Sequence, residues 1–284
     1  MEEVIYQLNE IRKKDFDILI ILDACRYDIF KSVYKLILGD VGILKKAISP
    51  ATHTIEWLNK TFGGIYWDDV IYVSANTFVN SKRITPRYKG YTFDGMKHFR
   101  RVVDVWDWGW DENLKTVHPE EVTKGAIVTI DMNPRMRFII HYVQPHLPYI
   151  YYGGVRKTAS IIMGEKRGNK IKTWKKIIGK TANKFLSQET IWKIALKLGI
   201  NPDWGMGELW AKYGKDGIIR GYTEDLKLAL KYVKVLIDRY PHKKFILTSD
   251  HGERLGEKGN YEHGGKRDKE VIEVPWLEIN KRKI

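Results

Sequence analysis

Five consecutive apolar residues, Ile18-Leu19-Ile20-Ile21-Leu22, stop abruptly at Asp23. The run is far shorter than the roughly 20 residues a membrane-spanning helix needs. It also lacks the polar alternation of a strand with one wet face. A short unbroken apolar run of this kind reads as a strand buried on both faces, which is the signature of a parallel sheet covered by helices. Phe245 to Thr248 repeats the pattern near the other end of the chain and stops at Ser249-Asp250-His251-Gly252.

The segments between these two strands fit the same plan. Met1 to Lys14 reads as a polar amphipathic helix, and a second helix is expected from Asp28 to about Leu38. Val70 to Ser74 and Phe138 to Val143 read as further strands, the latter ending in the proline-broken Gln144-Pro145-His146-Leu147-Pro148. Pro119 opens a helix over about Glu120 to Ile130, since proline is tolerated in a first helical turn. Leu226, Ala229, Leu230, Val233, Leu236 and Ile237 mark one apolar face of another helix, with Lys227, Lys231, Lys234 and Asp238 opposite. Ile272 to Ile279 is a last strand, interrupted by Pro275. Trp106, Trp108 and Trp110 lie in an irregular acidic stretch, where they read as packing residues. Strands alternating with helices predict one α/β domain over residues 1–284, with a mostly parallel central sheet and helices on both faces.

Charge sets one region apart. The net charge is +14, and residues 156–215, with 14 Lys+Arg against 4 Asp+Glu, contribute +10 of it. Trp174, Ile177, Ile178 and Phe185 alternate there with lysines at helical spacing, so residues of about 155–215 read as a basic helical cap or insertion. The excess predicts anionic partners: phosphate or sulfate esters, including glycan- or lipid-linked ones, or peripheral contact with an acidic membrane. No nucleic-acid-binding motif accompanies the charge, so nucleic acid is disfavoured. The single cysteine, Cys25, allows no intrachain disulfide and no cysteine-based zinc site. Nothing near the start resembles a secretion signal, and the expected location is the cytoplasm.

In open parallel sheets, ligands gather at the carboxyl ends of strands. Two of the strands here end in hard donors, one at Asp23 and the other at Asp250-His251. Two carboxylates and an imidazole suit zinc or manganese and leave coordination positions open. His141, His146 and His263 also fall at or near strand ends, whereas His53, His98, His118 and His242 read as ordinary surface histidines. Arg26, three residues after Asp23, has the geometry to grip an ester oxygen or to orient a nucleophile. Lys258 and Lys266 fall near the expected site, where they read as loop charges or as attractors of an anionic substrate.

Four blocks in order, followed by a closing strand, resemble the alkaline phosphatase superfamily, in its sulfatase-like branch. ILIILDACRYDIF (Ile18 to Phe30) looks like its first strand and metal-binding aspartate, and SPATHTIEWL (Ser49 to Leu58) looks like its nucleophile segment. FIIHYVQPHLPY (Phe138 to Tyr149) is similar to its histidine-containing strand end. FILTSDHGERLGEKGNYEHGG (Phe245 to Gly265) resembles its most recognisable motif, and VIEVPWLEI (Val271 to Ile279) looks like the closing strand. The resemblance implies a metal-dependent hydrolase or transferase of phosphate esters, mono- or diester, working through a covalent phospho-threonine. It implies Asp23, Asp250 and His251 as ligands of a divalent metal, with His146 and His263 holding a second ion or contacting the substrate's anionic oxygens. His141 and Lys258 join the substrate-contacting set. One ion or two would be bound, zinc or manganese first, with calcium and magnesium as alternatives. Thr54 is expected as the nucleophile because it opens the helix-like run Ile55-Glu56-Trp57-Leu58, with Thr52 as the alternative.

Two departures bear on the reaction. Sulfatases of this superfamily carry a C/S-x-P-x-R pattern that becomes formylglycine, and no such pattern occurs here. They also usually have two adjacent aspartates at the first strand end, where this chain has Asp23-Ala24. Sulfate-ester hydrolysis is thus the alternative reading, beside an inactive protein of the same fold that binds anionic surfaces.

Overall fold

The structure is a computed structural model that describes residues 4–85, 87–154, 186–199, 202 and 205–280. Eight strands form one sheet in the order β1-β3-β12-β9-β2-β8-β4-β5. These are β1 (Val4–Tyr6), β2 (Ile18–Leu22), β3 (Ile43–Ile48), β4 (Trp67–Ser74), β5 (Phe99–Asp104), β8 (Arg137–Tyr142), β9 (Phe245–Thr248) and β12 (Glu273–Ile279). All neighbours pair in parallel except β12, which runs antiparallel between β3 and β9. Two small hairpins complete the strands: β6 (Trp110–Asp111) with β7 (Thr116–Val117), and β10 (Arg254–Glu257) with β11 (Asn260–Glu262).

The unbroken apolar run of β2 is buried on both faces, as its composition requires. Ile18, Ile20 and Leu22 pack on the face covered by α2 (Tyr27–Leu38), α5 (Pro119–Met132) and α7 (Gly205–Arg239, broken at Gly214). Leu19 and Ile21 point to the other face, covered by α1 (Gln7–Arg12) and α3 (Thr54–Phe62). The short helices α4 (Val105–Trp108), α6 (Gln188–Lys197) and α8 (Lys269–Ile272) lie in connections. Each apolar side chain so buried contributes about 1.5–3 kcal/mol relative to exposure, which is why these two layers, rather than local propensity, decide the topology.

Three expectations need correction. The first segment is not one helix: Val4–Tyr6 adds a strand beside β3, and the helix begins only at Gln7. β-branched Val4 and Ile5 gain a ladder there, and the buried Gln7 side chain donates to Thr248 Oγ1 at 2.7 Å and to the Ser249 carbonyl at 2.5 Å. Pro275 does not interrupt the last strand. It pairs with Lys46 of β3, and pairing with β9 starts only at Trp276, so proline sits where a single neighbour flanks the strand. The acidic tryptophan stretch is ordered as α4 and the β6–β7 hairpin, with Trp108 packed against Gly125 of α5.

The basic cap falls largely outside the described residues, including Trp174, Ile177, Ile178 and Phe185. Its described part is helical. Trp192 of α6 stacks near Trp210 and Tyr261, and with Met206, Leu209, Tyr222 and Leu255 it builds a third apolar cluster beneath the β10–β11 hairpin. No helix among the described residues is long and apolar enough to cross a membrane.

Candidate active site

Because β2, β3, β4, β8 and β9 run the same way, their carboxyl ends open onto one edge of the sheet. β2 delivers Asp23, β9 delivers Asp250 and His251, β4 delivers Asn76, and the connection after β3 delivers Thr52 to Thr54. Ala24 takes the left-handed conformation (φ 60°) to turn the chain away directly after Asp23. Its N–H donates to Asp250 Oδ1 at 3.1 Å, joining two strand ends that are 226 residues apart. Gly252 is required at its position because a Cβ would stand 2.2 Å from the Glu270 carbonyl oxygen, the close approach that lets its N–H donate to the Val271 carbonyl.

One oxygen of each carboxylate is committed to the protein and the other is bare. Asp23 Oδ2 accepts from Asn76 Nδ2 at 2.9 Å, and Asp250 Oδ1 accepts from the N–H groups of Ala24 and His251. Asp23 Oδ1 and Asp250 Oδ2 are buried without a hydrogen-bond partner. They lie 3.7 and 3.3 Å from His251 Nε2. His251 Nδ1 faces the Gly252 carbonyl at 2.9 Å, which assigns the proton to Nδ1 and leaves Nε2 as a lone-pair donor. Two uncompensated carboxylate oxygens converging in a buried space, on an imidazole nitrogen met only weakly by the Thr54 hydroxyl, would be costly alone. The donor set fits a divalent cation, as expected for Asp23, Asp250 and His251.

Titration follows from that crowding. Burial, reinforced by the nearby Asp250 charge, pushes the Asp23 carboxyl well above the usual carboxylate range. Burial also works against Asp250, but the neighbouring His251 and His141, the nearby Thr54 hydroxyl and the Ala24 N–H outweigh it and hold that carboxyl below its ordinary value. Burial brings His251 down to about 4.

A second group adjoins the first. His146, Glu253 and His263 present one donor atom each, all within 4.8 Å of one another. The His263 ring lies 4.2 Å, centroid to centroid, from His251 and 5.1 Å from His146. His146 Nδ1 faces the Leu147 carbonyl at 2.6 Å, so its Nε2 is the free donor. Burial lifts Glu253 to about 7 and drives His263 well below its normal value. Glu253 is a site residue for which the sequence had raised no expectation. Its position ten residues before His263, on the two sides of the β10–β11 hairpin, is the signal that pairs them.

Thr54 is the first residue of α3, and its Oγ1 lies 3.4 Å from His251 Nε2. Thr52 is turned away: its Oγ1 and its N–H both point to Glu56 Oε2, at 3.3 and 3.0 Å. His53, expected at the surface, is only 5% exposed and caps α3, its Nδ1 accepting from the Glu56 N–H. Arg267 ties this segment down by donating to the Ser49 and Pro50 carbonyls.

Three expected residues sit elsewhere. Arg26 does not reach toward Thr54. Its guanidinium is consumed by Asp28, Glu257 and the Glu253 carbonyl, which makes it a brace for the loop carrying the second cluster. His141 is fully buried beneath the first cluster rather than on its open side; Nδ1 faces Tyr72 Oη at 2.8 Å and Nε2 is 3.9 Å from Asp23 Oδ2. Lys258 is exposed at the tip of the β10–β11 hairpin, next to Gly259, which packs against Ser187 and Glu189. Asn76 was missed. It follows β4, and applying the strand-end rule to that strand as well would have found it.

No protein-family model and no curated protein matches this chain. Solved structures do. The soluble domain of lipooligosaccharide phosphoethanolamine transferase A from Neisseria meningitidis is 12% identical with a TM-score of 0.51, over 97% of this chain and 77% of that one. The integral membrane protein of the same name and organism is 12% identical with a TM-score of 0.50, over 98% of this chain and 48% of that one. The C-terminal periplasmic domain of a phosphoethanolamine transferase from Campylobacter jejuni is 12% identical with a TM-score of 0.45, over 98% of this chain and 78% of that one. The expected cytoplasmic location is corrected at this point: the similar structures are an integral membrane protein and its soluble domain. What this chain shares with the two Neisseria meningitidis structures is the fold, a central sheet with helices on both faces.

Proposed function

We propose that this protein is a metal-dependent transferase or hydrolase of phosphate esters that uses Thr54 as its nucleophile. The observation that carries the reading is the placement of the Thr54 hydroxyl, at a helix start, 3.4 Å from the His251 Nε2 on which two bare carboxylate oxygens converge. A divalent cation, zinc or manganese by donor type, would be held by Asp23, Asp250, His251 and the Thr54 oxygen. Bound there, it would lower the pKa of the hydroxyl and offset charge on the phosphoryl oxygens.

Thr54 Oγ attacks phosphorus as the ester P–O bond breaks, and the departing oxygen keeps the bonding electrons. The hydroxyl proton passes to solvent water as the oxygen ionises, and the departing oxygen takes up a proton from water. The product is a phospho-threonine, which water or an acceptor hydroxyl then releases by the reverse displacement. The start of α3 adds the partial positive charge of a helix N-terminus beside the nucleophile. His146, Glu253 and His263 serve the other end of the ester, as a second cation site or as direct contacts to its oxygens. The similar transferase acts, by its name, on a lipooligosaccharide. A glycan- or lipid-linked anionic ester and an extracytoplasmic location are the corresponding proposals for this chain.

The test is turnover of p-nitrophenyl phosphate and bis-p-nitrophenyl phosphate with Zn²⁺ or Mn²⁺, before and after Asp250→Ala. Metal-dependent turnover that disappears in the variant is the expected result. Activity that survives the substitution removes the mechanism.

A further inference from the structure

A short segment outside every motif reaches over the site. Tyr88 and Tyr91 exchange backbone hydrogen bonds at 3.1 and 3.0 Å across Lys89-Gly90. Both central residues have positive φ, 49° and 87°, the geometry of a tight two-residue hairpin. The two tyrosine rings stand edge-on to His53 at centroid distances of 5.2 and 5.7 Å, so the hairpin is seated on the residue before Thr54. Its tip carries Lys89 across to the other wall. Nζ lies so near Gly264 that a Cβ there would come within 2.6 Å of it. Gly264 follows His263, whose ring is 4.2 Å from that of His251.

The ammonium is exposed and stands 5.1 Å from the Tyr88 ring centroid. Among the described residues no carboxylate pairs with it. An unpaired cation beside a row of histidines, bridging the nucleophile side and the His263 side, is placed to meet an anion.

We propose that Lys89 is a substrate-binding residue that sets charge specificity: its ammonium takes a non-bridging oxygen of the ester group held between Thr54 and His263. The proposal rests on the phosphate-ester reading above. A dianionic monoester offers such an oxygen with more charge than a monoanionic diester, so Lys89 favours the monoester.

The experiment compares the unmodified protein with Lys89→Met, Lys89→Arg and, as a nearby exposed control, Lys97→Met. Two readouts are used: kcat/KM on p-nitrophenyl phosphate and bis-p-nitrophenyl phosphate, and the Kd of inorganic phosphate for zinc-supplemented protein by calorimetry. Loss of one charge-assisted hydrogen bond predicts a drop of about 10- to 100-fold on the monoester in Lys89→Met. The diester drops less than about 5-fold, and phosphate binding weakens about 10-fold or more. Lys89→Arg retains most of both, and Lys97→Met changes neither. Equal losses on the two esters, or unchanged phosphate affinity in Lys89→Met, overturn the assignment. If the unmodified protein turns over neither ester but binds phosphate through Lys89, the phosphate-ester reading fails while the anion site stands.

Discussion

Thr54 Oγ1 and His251 Nε2 stand 3.4 Å apart although 197 residues separate them in the chain. The contact exists because the connection after β3 and the end of β9 both open on the same edge of the sheet. Thr52, two residues earlier, has its hydroxyl turned to Glu56. Thr54→Ala is therefore expected to lower turnover of p-nitrophenyl phosphate by about 10³-fold or more, as for loss of an activated nucleophile. Thr52→Ala is expected to cost less than about 10-fold, through a weaker helix start. The reverse ranking in steady-state kinetics would move the nucleophile to Thr52.

The two donor groups predict two bound ions. Elemental analysis after zinc loading should give about two equivalents per chain, and a His146→Ala/His263→Ala double variant should retain about one. A cation that binds only the folded state stabilises it by about 4 kcal/mol at a thousandfold excess over Kd. Chelation should thus lower the melting temperature markedly, and Asp23→Asn, which removes one of the two buried carboxylates, should blunt that response. One equivalent in both proteins would leave the second group as a substrate contact.

Tyr222 on α7 braces the first strand end from above. Its hydroxyl donates to the Ala24 carbonyl at 2.7 Å and accepts from the Arg26 N–H at 2.8 Å. Tyr222→Phe leaves both buried backbone groups without that partner. A loss of about 1–3 kcal/mol in urea unfolding is expected, with a larger fall in kcat than a stability change alone would bring, since Asp23 adjoins Ala24. Unchanged stability would show that the two backbone groups find other partners.

Asp225 gives the fold a pH dependence away from the donor clusters. It is 1% exposed, and its two oxygens accept the N–H groups of Ile150 and Tyr151, just beyond His146. Burial lifts its carboxyl to about 7, above the ordinary value of 3.8. The folded state thus holds the proton more tightly than the unfolded one. Its contribution is full below about pH 4 and is lost as pH rises through about 7, with a slope of up to about 1.4 kcal/mol per pH unit. Metal-loaded protein should show a urea midpoint falling from pH 5 to 8, and Asp225→Asn should flatten that fall. An identical slope in the variant would assign the pH dependence to another group.

Much of the plan was legible locally. The runs Ile18–Leu22 and Phe245–Thr248 announced doubly buried strands because burial on both faces removes the need for polar alternation. Asp23, Asp250 and His251 were legible because a hard donor at the end of such a strand has little other reason to be there. Val4–Tyr6 and Ile43–Ile48 were not, since edge and near-edge strands keep mixed composition and become strands only when a neighbour offers a ladder.

The sequence alone determined the fold class and the first donor group, through hydrophobic pattern and residue type, which act over a few positions. Tertiary structure decided the rest. It set Thr54 apart from Thr52, turned Arg26 into a brace, sank His141 beneath Asp23, joined Glu253 to His263, and hung Lys89 over the site. Each of those outcomes is a distance between atoms far apart along the chain or a choice between competing partners, and only the packed sheet edge brings those partners within reach.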